Sequence, residues 1–208
     1  MTGAGLTAWE EKAALSANDP IADIGLIPQT TIMTLWSEIL ARARREAFQR
    51  YARLSDNLRG QLFQIEPSQN IYYPALITLR TGERRDAVYL CPALPWFEQW
   101  GVWPDDDKGK KAVSLEEVID IQPSPSRLPL AFAEAIYAAG ESGMGYHLFQ
   151  LMFQDGAVAT FGAGGAVDFP DLPPGRSPND IISVKPHAGR EDPSKRSTLD
   201  YAWCLYSL

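Results

Sequence analysis

His147 and His187 are the two histidines of this chain, and they are the residues best suited to acid–base chemistry. Imidazole titrates near neutral pH, so a histidine beside a cation and carboxylates can carry a proton during catalysis. Arg190 follows His187 closely, and Glu141 and Asp180 lie in the same Gly- and Pro-rich stretch. If these five side chains converge, they form the catalytic set of an enzyme of unassigned class, with a hydrolase as the first reaction type to consider.

Each histidine also has a structural interpretation. His147 alternates with Phe149 and Leu151, so it falls on the face of a strand that packs into a core. His187 lies in a loop, where a hydrogen bond that fixes the loop is the simpler role. The sequence GESGMG around Ser142 departs from the G-x-S-x-G pattern of a nucleophile elbow and favours a flexible turn.

The cysteines and the other nearby carboxylates define no second catalytic or metal site. Cys91 and Cys204 lie in apolar, strand-like runs, which predicts buried free thiols unless their two strands are neighbours. The histidine and cysteine spacings match no zinc site, and no phosphate-binding loop occurs. We therefore predict no metal and no cofactor. Further carboxylates lie nearby without a spacing that pairs them as acid and base: Asp155, Asp168 and Asp171.

An aromatic and acidic segment is the strongest candidate for a binding surface. Its three tryptophans, which lie close together, are Trp96, Trp100 and Trp103, and the three aspartates that follow are Asp105, Asp106 and Asp107. Tryptophan is enriched at protein interfaces because it buries much area at a small entropy cost. The segment therefore predicts a contact surface for a basic protein partner, and packing under a sheet is the structural alternative.

Composition limits the function classes. The net charge of −7 disfavours a nucleic-acid binder or a protein that binds anionic membranes. The N-terminal sequence has neither the basic region nor the apolar core of a secretory signal, and no run is long enough to span a membrane. A cytoplasmic location is the expectation.

The N-terminal third predicts helices. Thr7 and Glu10 form a capping box that begins a short helix. A second helix is expected from about Thr30 to a stop near Gly60. Its apolar residues recur at helical spacing and would form one buried face: Ile32, Trp36, Ile39, Leu40, Ala43, Ala47, Tyr51, Leu54 and Leu58.

After Gly60 the pattern changes to strands and turns. Residues 71–80 and 87–91 predict one hairpin, and residues 146–154 and 157–161 predict another that turns at Asp155-Gly156. A capping box at Ser114 predicts a short helix through Ile119. Residues 132–139 fit a helix or a strand. Three further strands are expected at residues 166–169, 181–184 and 201–206.

These elements predict an α+β fold in which N-terminal helices pack on a largely antiparallel, hairpin-rich sheet. The helical region would span residues 1–60 and the β region residues 61–208, as one continuous domain. The sequence predicts no internal repeat. With 208 residues, the chain is long enough to bury a core without a disulfide or a metal.

The leading functional hypothesis is a non-enzymatic protein-binding module. A small, acidic α+β chain without a catalytic motif resembles bacterial immunity or antitoxin-type proteins in general character, although no motif carries the resemblance. The resemblance implies a protein that neutralises a basic partner. The enzyme that uses His147, His187 and Arg190 is the alternative.

Overall fold

The computed structural model describes residues 29–208. The chain divides into two compact units, Met1–Ile39 and Leu40–Leu208. The capping box predicted at Thr7 and Glu10 lies outside the described residues. The predicted boundary near residue 60 falls inside the second unit, and the single continuous domain remains a prediction.

The first described helix is shorter than its apolar pattern suggests. Helix α1 is Gln29–Arg50, and a second helix, α2, is Asp56–Leu62. The prediction of one helix that stops near Gly60 is therefore wrong. The chain leaves the helix because Ala52 accepts a hydrogen bond from the Ser207 backbone N at 3.0 Å, which pairs this segment with the C-terminus. The Ser55 hydroxyl then caps α2.

The first sheet contains four strands in the order β3-β1-β2-β7. Their bounds are Tyr73–Leu79 for β1, Arg84–Pro92 for β2, Val118–Pro123 for β3 and Ala202–Tyr206 for β7. Strands β1 and β2 form the first predicted hairpin. The pairs within β3-β1-β2 are antiparallel, and β7 pairs with β2 in parallel.

The second sheet contains three antiparallel strands in the order β5-β4-β6. They are β4 (His147–Phe153), β5 (Val158–Ala163) and β6 (Ile181–Pro186). The predicted turn at Asp155-Gly156 is confirmed, and Gly156 has the positive φ of 82° that such a turn needs. The strand expected at residues 166–169 is wrong, because this segment is an irregular loop.

Two more helices complete the α+β fold, which is confirmed. Helix α3 is Ala93–Trp100 and was not predicted, and helix α4 is Leu130–Ala139, which settles the ambiguous segment as helical. Ser114 caps only a 3-10 turn, Leu115–Glu117, before the chain enters β3. The predicted helix through Ile119 is therefore wrong.

The two sheets are built from an internal repeat, contrary to the expectation from sequence. In each repeat a helix precedes a hairpin, and a third strand then pairs with the first strand of that hairpin: α2-β1-β2-β3, with α3 inserted before β3, and α4-β4-β5-β6. Strand β7 of the first sheet lies outside both repeats. Each third strand follows a 3-10 turn that a serine begins. The two stretches that end the repeats are SLEEVIDIQPSPSR (residues 114–127) and SPNDIISVKPHAGR (residues 177–190).

Backbone hydrogen bonds repeat at the same places. In the first repeat Gly82 N donates to Leu79 O at 2.8 Å, and in the second Gly156 N donates to Phe153 O at 2.9 Å. The register of the third strand also shifts at equivalent positions, between Thr78 and Leu79 and between Met152 and Phe153. The resemblance between the repeats therefore extends to the hydrogen-bond pattern.

Apolar residues form three clusters around this framework. One cluster lies on one face of the first sheet and includes buried residues of α2, and another lies on the opposite face with residues of α3. The third cluster joins α4 to the second sheet. Ala43 and Ala47 of α1 are buried in the second cluster. Ile32 and Ile39, which were predicted on the same buried face, are exposed, so the prediction of one buried face along the whole helix is wrong.

Both cysteines are free and buried. They lie on the neighbouring strands β2 and β7, but Cys204 pairs with Leu90 and Cys91 with Leu205. Adjacent residues along a strand point to opposite faces, so the two thiols belong to different core clusters. This geometry explains why no disulfide joins them.

Neither cysteine should react in the native protein. Burial raises the pKa of both thiols, that of Cys204 to about 12, and the thiolate is the reactive form. We expect no reaction with Ellman's reagent until guanidinium unfolds the chain, when both thiols react. A Ser194→Cys variant, with an exposed thiol, is the positive control. Rapid modification of the native wild-type protein would contradict this packing.

Candidate functional site

The internal repeat places a serine, a tyrosine and an arginine at equivalent positions in both repeats. The serine and tyrosine form a turn before the first strand, and the arginine follows the proline that ends the third strand in the spacing P-x-x-x-R. We call the set in the first repeat the inner corner and the set in the second repeat the outer corner. The inner corner is Ser68, Tyr72 and Arg127, and the outer corner is Ser142, Tyr146 and Arg190.

The inner corner holds a buried carboxylate from the second repeat. Asp168 has none of its surface exposed and lies in the loop after β5. The Ser68 hydroxyl donates a hydrogen bond to Asp168 Oδ1, and Arg127 Nε lies 3.7 Å from the same oxygen. Tyr137 OH and Tyr89 OH donate to Oδ2 at 2.9 and 3.2 Å.

Each of these hydroxyl groups is oriented by a donor of its own. Tyr89 OH accepts from the Asp168 backbone N, and Tyr137 OH accepts from the Val167 backbone N, both at 3.1 Å. Ser68 Oγ accepts from Arg127 Nη2 at 3.1 Å. Since each oxygen accepts from a fixed donor, its hydrogen is directed towards the carboxylate. Asp168 is therefore held by three hydroxyl donors and one guanidinium.

Burial and hydrogen bonding have opposite effects on the pKa of Asp168. Burial raises the pKa of its carboxyl group, while the hydrogen bond from Ser68, that from Tyr137 and the charge of Arg127 oppose this rise. Arg127 Nε is itself buried without a hydrogen-bond partner among the described residues. The inner corner is thus closed around one carboxylate.

The outer corner has the same residue types on the surface. Arg190 is exposed, and its Nη1 donates to Tyr146 OH at 3.0 Å while its Nη2 donates to the Ser142 carbonyl at 2.8 Å. Within residues 29–208, no carboxylate lies within ion-pair distance of this guanidinium. The outer corner therefore lacks the acidic partner that fills the inner corner.

His187 joins the outer corner through Ser142. Its Nε2 lies 3.0 Å from the carbonyl oxygen of Ala139, which can only accept, so Nε2 carries the hydrogen. In the tautomer with its hydrogen on Nε2 only, Nδ1 accepts from the Ser142 hydroxyl at 2.8 Å, and the Leu148 carbonyl at 3.3 Å is a second acceptor for that hydroxyl. His187 has a φ of 58°, which a non-glycine residue adopts rarely. The Leu148 backbone N also donates to Ser142 Oγ at 2.8 Å.

Four of the five predicted catalytic residues lie in or beside the outer corner. His147 Nδ1 donates to the Gly140 carbonyl at 3.1 Å, next to the carbonyl that binds His187, and burial lowers the pKa of His147. Glu141 accepts from the Gly145 backbone N at 2.9 Å. Asp180 does not join them, because it lies before the opposite end of β6, about 20 Å away at the usual strand rise.

The turn that carries the outer corner depends on glycine and exposes methionine. A Cβ atom on Gly143 would lie 2.4 Å from Tyr146 Cε1, so only glycine allows this ring position. Met144, in the same turn, is 100% exposed. An exposed, flexible apolar side chain beside tyrosine and arginine is typical of a protein-contact surface.

Two of the predicted contact tryptophans are core residues. Helix α3 directs Trp96 under the first sheet, where it is fully buried and packs edge-on against Trp203 with ring centroids 4.2 Å apart. Trp103 is also buried, and its indole N donates to Glu46 at 3.1 Å. Trp100 is half-buried and donates to Tyr72 OH at 3.0 Å. The prediction of a tryptophan contact surface is therefore wrong for Trp96 and Trp103.

The three aspartates of the same segment bind neighbouring groups. Asp105 accepts from Tyr51 OH at 2.7 Å, and Asp106 pairs with Arg50 at 2.7 Å. Asp107 pairs with Lys110, and this hydrogen bond lowers the pKa of Asp107. Asp105 and Asp106 remain exposed, so their contact with a basic partner stays a prediction.

A cavity of about 410 Å³ lies elsewhere and is lined by residues 109–111 and 198–201 and by Trp203. Its charged groups neutralise one another, since Lys111 pairs with Asp200 and Lys110 pairs with Asp107. The cavity therefore offers little uncompensated charge to a ligand.

No protein-family model, no curated protein and no solved structure matched this chain in the comparisons. Among residues 29–208, no group of three or more His, Cys, Asp or Glu side chains could hold a metal ion. No helix in that range is long and apolar enough to cross a membrane.

Sequence reasoning missed the two corners, although a signal was present. One composite pattern occurs at residues 114–127 and again at 177–190. It consists of S-x-x-[E/D], then a strand rich in β-branched residues, and then P-x-x-x-R. The pattern S-x-x-x-Y occurs at residues 68–72 and 142–146. Aligning these patterns predicts that Arg127 and Arg190 are equivalent. It does not predict that Asp168 fills one corner.

Replacing Arg127 with glutamine tests the inner corner. The change leaves the buried Asp168 without its cation, and breaking such a pair typically lowers the free energy of unfolding by about 3–5 kcal/mol. Urea unfolding measures the loss. The matched control is Arg84→Gln, an exposed arginine whose replacement should change stability by about 0.5 kcal/mol or less.

The pH dependence of that loss identifies its cause. A carboxyl group whose pKa is raised by folding contributes stability below its unfolded pKa of about 3.9, and that stability falls as pH rises through the folded pKa. Without Arg127 the folded pKa rises further, so the loss should be larger at neutral pH than in mild acid. An equal loss at both pH values would show that Arg127 acts through packing alone.

Proposed function

We propose that this chain is a non-enzymatic protein-binding module whose contact surface is the outer corner. One observation carries the proposal: the inner corner already binds another segment of the chain, and the equivalent outer corner is exposed. Arg190 and His187 are exposed, Tyr146 is half-buried, and Met144 is fully exposed. Arginine and tyrosine are enriched among the residues that dominate binding energy.

The contact surface is then the outer corner and not the aromatic and acidic segment. Trp96 and Trp103 are buried, so they cannot reach a partner. The neutralising role that the immunity-type resemblance implies, and a basic partner for Asp105 and Asp106, remain predictions within this function class.

Photo-crosslinking tests the contact surface. With p-benzoylphenylalanine in place of Met144, irradiation of the native host should give a defined adduct with a partner protein. An Arg190→Gln change in the same chain should weaken or abolish the adduct. The matched control carries the crosslinker in place of Phe63, which is 64% exposed and lies outside the corner. Equal adducts from both positions, or an adduct unaffected by Arg190→Gln, would count against the outer corner.

A hydrolase is the second candidate, and the Ser142–His187 contact favours it. The hydroxyl donates to Nδ1 at 2.8 Å, and the Ala139 carbonyl fixes the tautomer, so His187 is placed to take the proton of Ser142. The additional hydrogen bond from the Leu148 backbone N to Ser142 Oγ is what a loop-fixing role would use, and it places this candidate second.

A fluorophosphonate probe separates the two candidates. If Ser142 is an activated nucleophile, it should be phosphonylated with loss of fluoride, and mass spectrometry should locate the adduct on Ser142. The His187→Gln variant should lose the labelling, while Ser194→Ala, a change at an exposed serine, should keep it. An unlabelled wild-type protein would reject the hydrolase.

A further inference from the structure

The occupant of the inner corner indicates what the outer corner binds. We propose that the outer corner binds the carboxylate side chain of an acidic segment in a partner protein. This inference rests on the proposed protein-binding function and adds the chemistry of the partner. It reverses, for this surface, the basic partner that the aromatic and acidic segment suggested.

Each corner contains an arginine. At the inner corner Arg127 supplies the positive charge beside Asp168. At the outer corner Arg190 uses two hydrogen bonds, to Tyr146 OH and to the Ser142 carbonyl, and a guanidinium has five N–H groups. The remaining N–H groups can donate to a carboxylate in the planar geometry that arginine favours.

A tyrosine hydroxyl is available at both corners, although not from equivalent residues. Tyr72, the equivalent of Tyr146, accepts from Trp100 Nε1 and is not a partner of Asp168. Instead the OH of Tyr137 accepts from a backbone N–H and donates to Asp168.

At the outer corner Tyr146 OH accepts from Arg190 Nη1, so it has a fixed donor as Tyr137 OH does. Its own hydrogen is then free to donate to a carboxylate that binds beside Arg190. Gly143 allows this ring position, because a Cβ atom there would lie 2.4 Å from Tyr146 Cε1.

The hydroxyl groups of the two corner serines have different partners, and this difference determines which groups of the outer corner can bind a carboxylate. Ser68 Oγ donates directly to Asp168, whereas Ser142 Oγ donates to His187. Ser142 therefore acts through its carbonyl, which positions Arg190, and the carboxylate is bound by Arg190 and Tyr146. Met144 in the same turn supplies apolar contact for the residues that flank the acid.

The chain itself provides the probe. Asp168 lies between Val167 and Phe169, which are both fully buried around the inner corner. A capped peptide with the sequence of residues 166–170, Ac-Ala-Val-Asp-Phe-Pro-NH2, reproduces this segment. The matched peptide with asparagine in place of aspartate removes only the charge. Titration of each into the labelled full chain, followed by NMR at the Arg190 side chain and the Met144 methyl group, measures binding.

We expect millimolar aspartate peptide to shift these resonances, and the asparagine peptide to bind about tenfold more weakly or worse, since charge-assisted hydrogen bonds are lost. Arg190→Gln should cause a similar loss, Tyr146→Phe a smaller one, and Arg84→Gln none. Spectra unchanged away from the corner show that each variant is folded. Tyr146→Phe, which removes a single oxygen, keeps the test valid if Arg190→Gln does not fold.

Several outcomes would overturn the inference. These are equal binding of the two peptides, no shift at the outer corner, shifts confined to another surface, and tighter binding of inorganic phosphate than of the aspartate peptide. A partner crosslinked from Met144 without any preference for aspartate would reject the carboxylate chemistry alone. Loss of the crosslink together with aspartate-specific peptide binding would instead reject the proposed macromolecular function.

Discussion

The buried carboxylate of Asp168 constrains the rest of this structure. An ionised group away from water costs several kcal/mol unless charged and hydrogen-bonding partners surround it. Here the partners come from both repeats: Ser68 and Tyr89 from the first, and Tyr137 from helix α4 of the second. Their positions must agree with one another before the carboxylate is satisfied. Asp168 therefore ties the two sheets to one arrangement.

The internal repeat allows the surroundings of Asp168 to be compared with a second copy, because the same serine, tyrosine and arginine types occur in both corners. The loop after β5 covers the inner corner, and no described residue covers the outer corner with a carboxylate. Arg127 serves the stability of the fold, whereas Arg190 retains unused hydrogen-bond donors on the surface. An exposed copy of an internal contact is a basis for binding a similar group from outside.

The histidines have a structural role that accommodates either functional proposal. His187 and His147 bind the consecutive carbonyls of Ala139 and Gly140, where helix α4 ends. Orphan carbonyls at a helix end need donors, and cationic or donor side chains are favoured there. This role fixes the turn that presents Tyr146 and Met144. The same turn brings Ser142 to His187, which is the arrangement that a hydrolase would use.

Local sequence determined much of the fold. The hairpin turn at Asp155-Gly156, the strands and the serine at the start of each 3-10 turn follow from short-range backbone preferences, which tertiary contacts did not override. The sequence also suggested, as one hypothesis, that the five predicted catalytic residues converge, and four of them lie in or beside the outer corner. The duplicated spacing that ends at Arg127 and at Arg190 was also present in the sequence, but the sequence-based prediction did not include it.

Tertiary structure decided the rest. The apolar face of α1 continued past Arg50, yet pairing of Ala52 with Ser207 ended the helix. The tryptophans fitted a surface or a core equally well by composition, and helix α3 turned Trp96 inward. Above all, the sequence contains two equivalent Ser-Tyr-Arg corners, and local preferences cannot distinguish them. Only long-range packing, which brings Asp168 to one corner and desolvates it there, determines which corner is buried and which remains exposed.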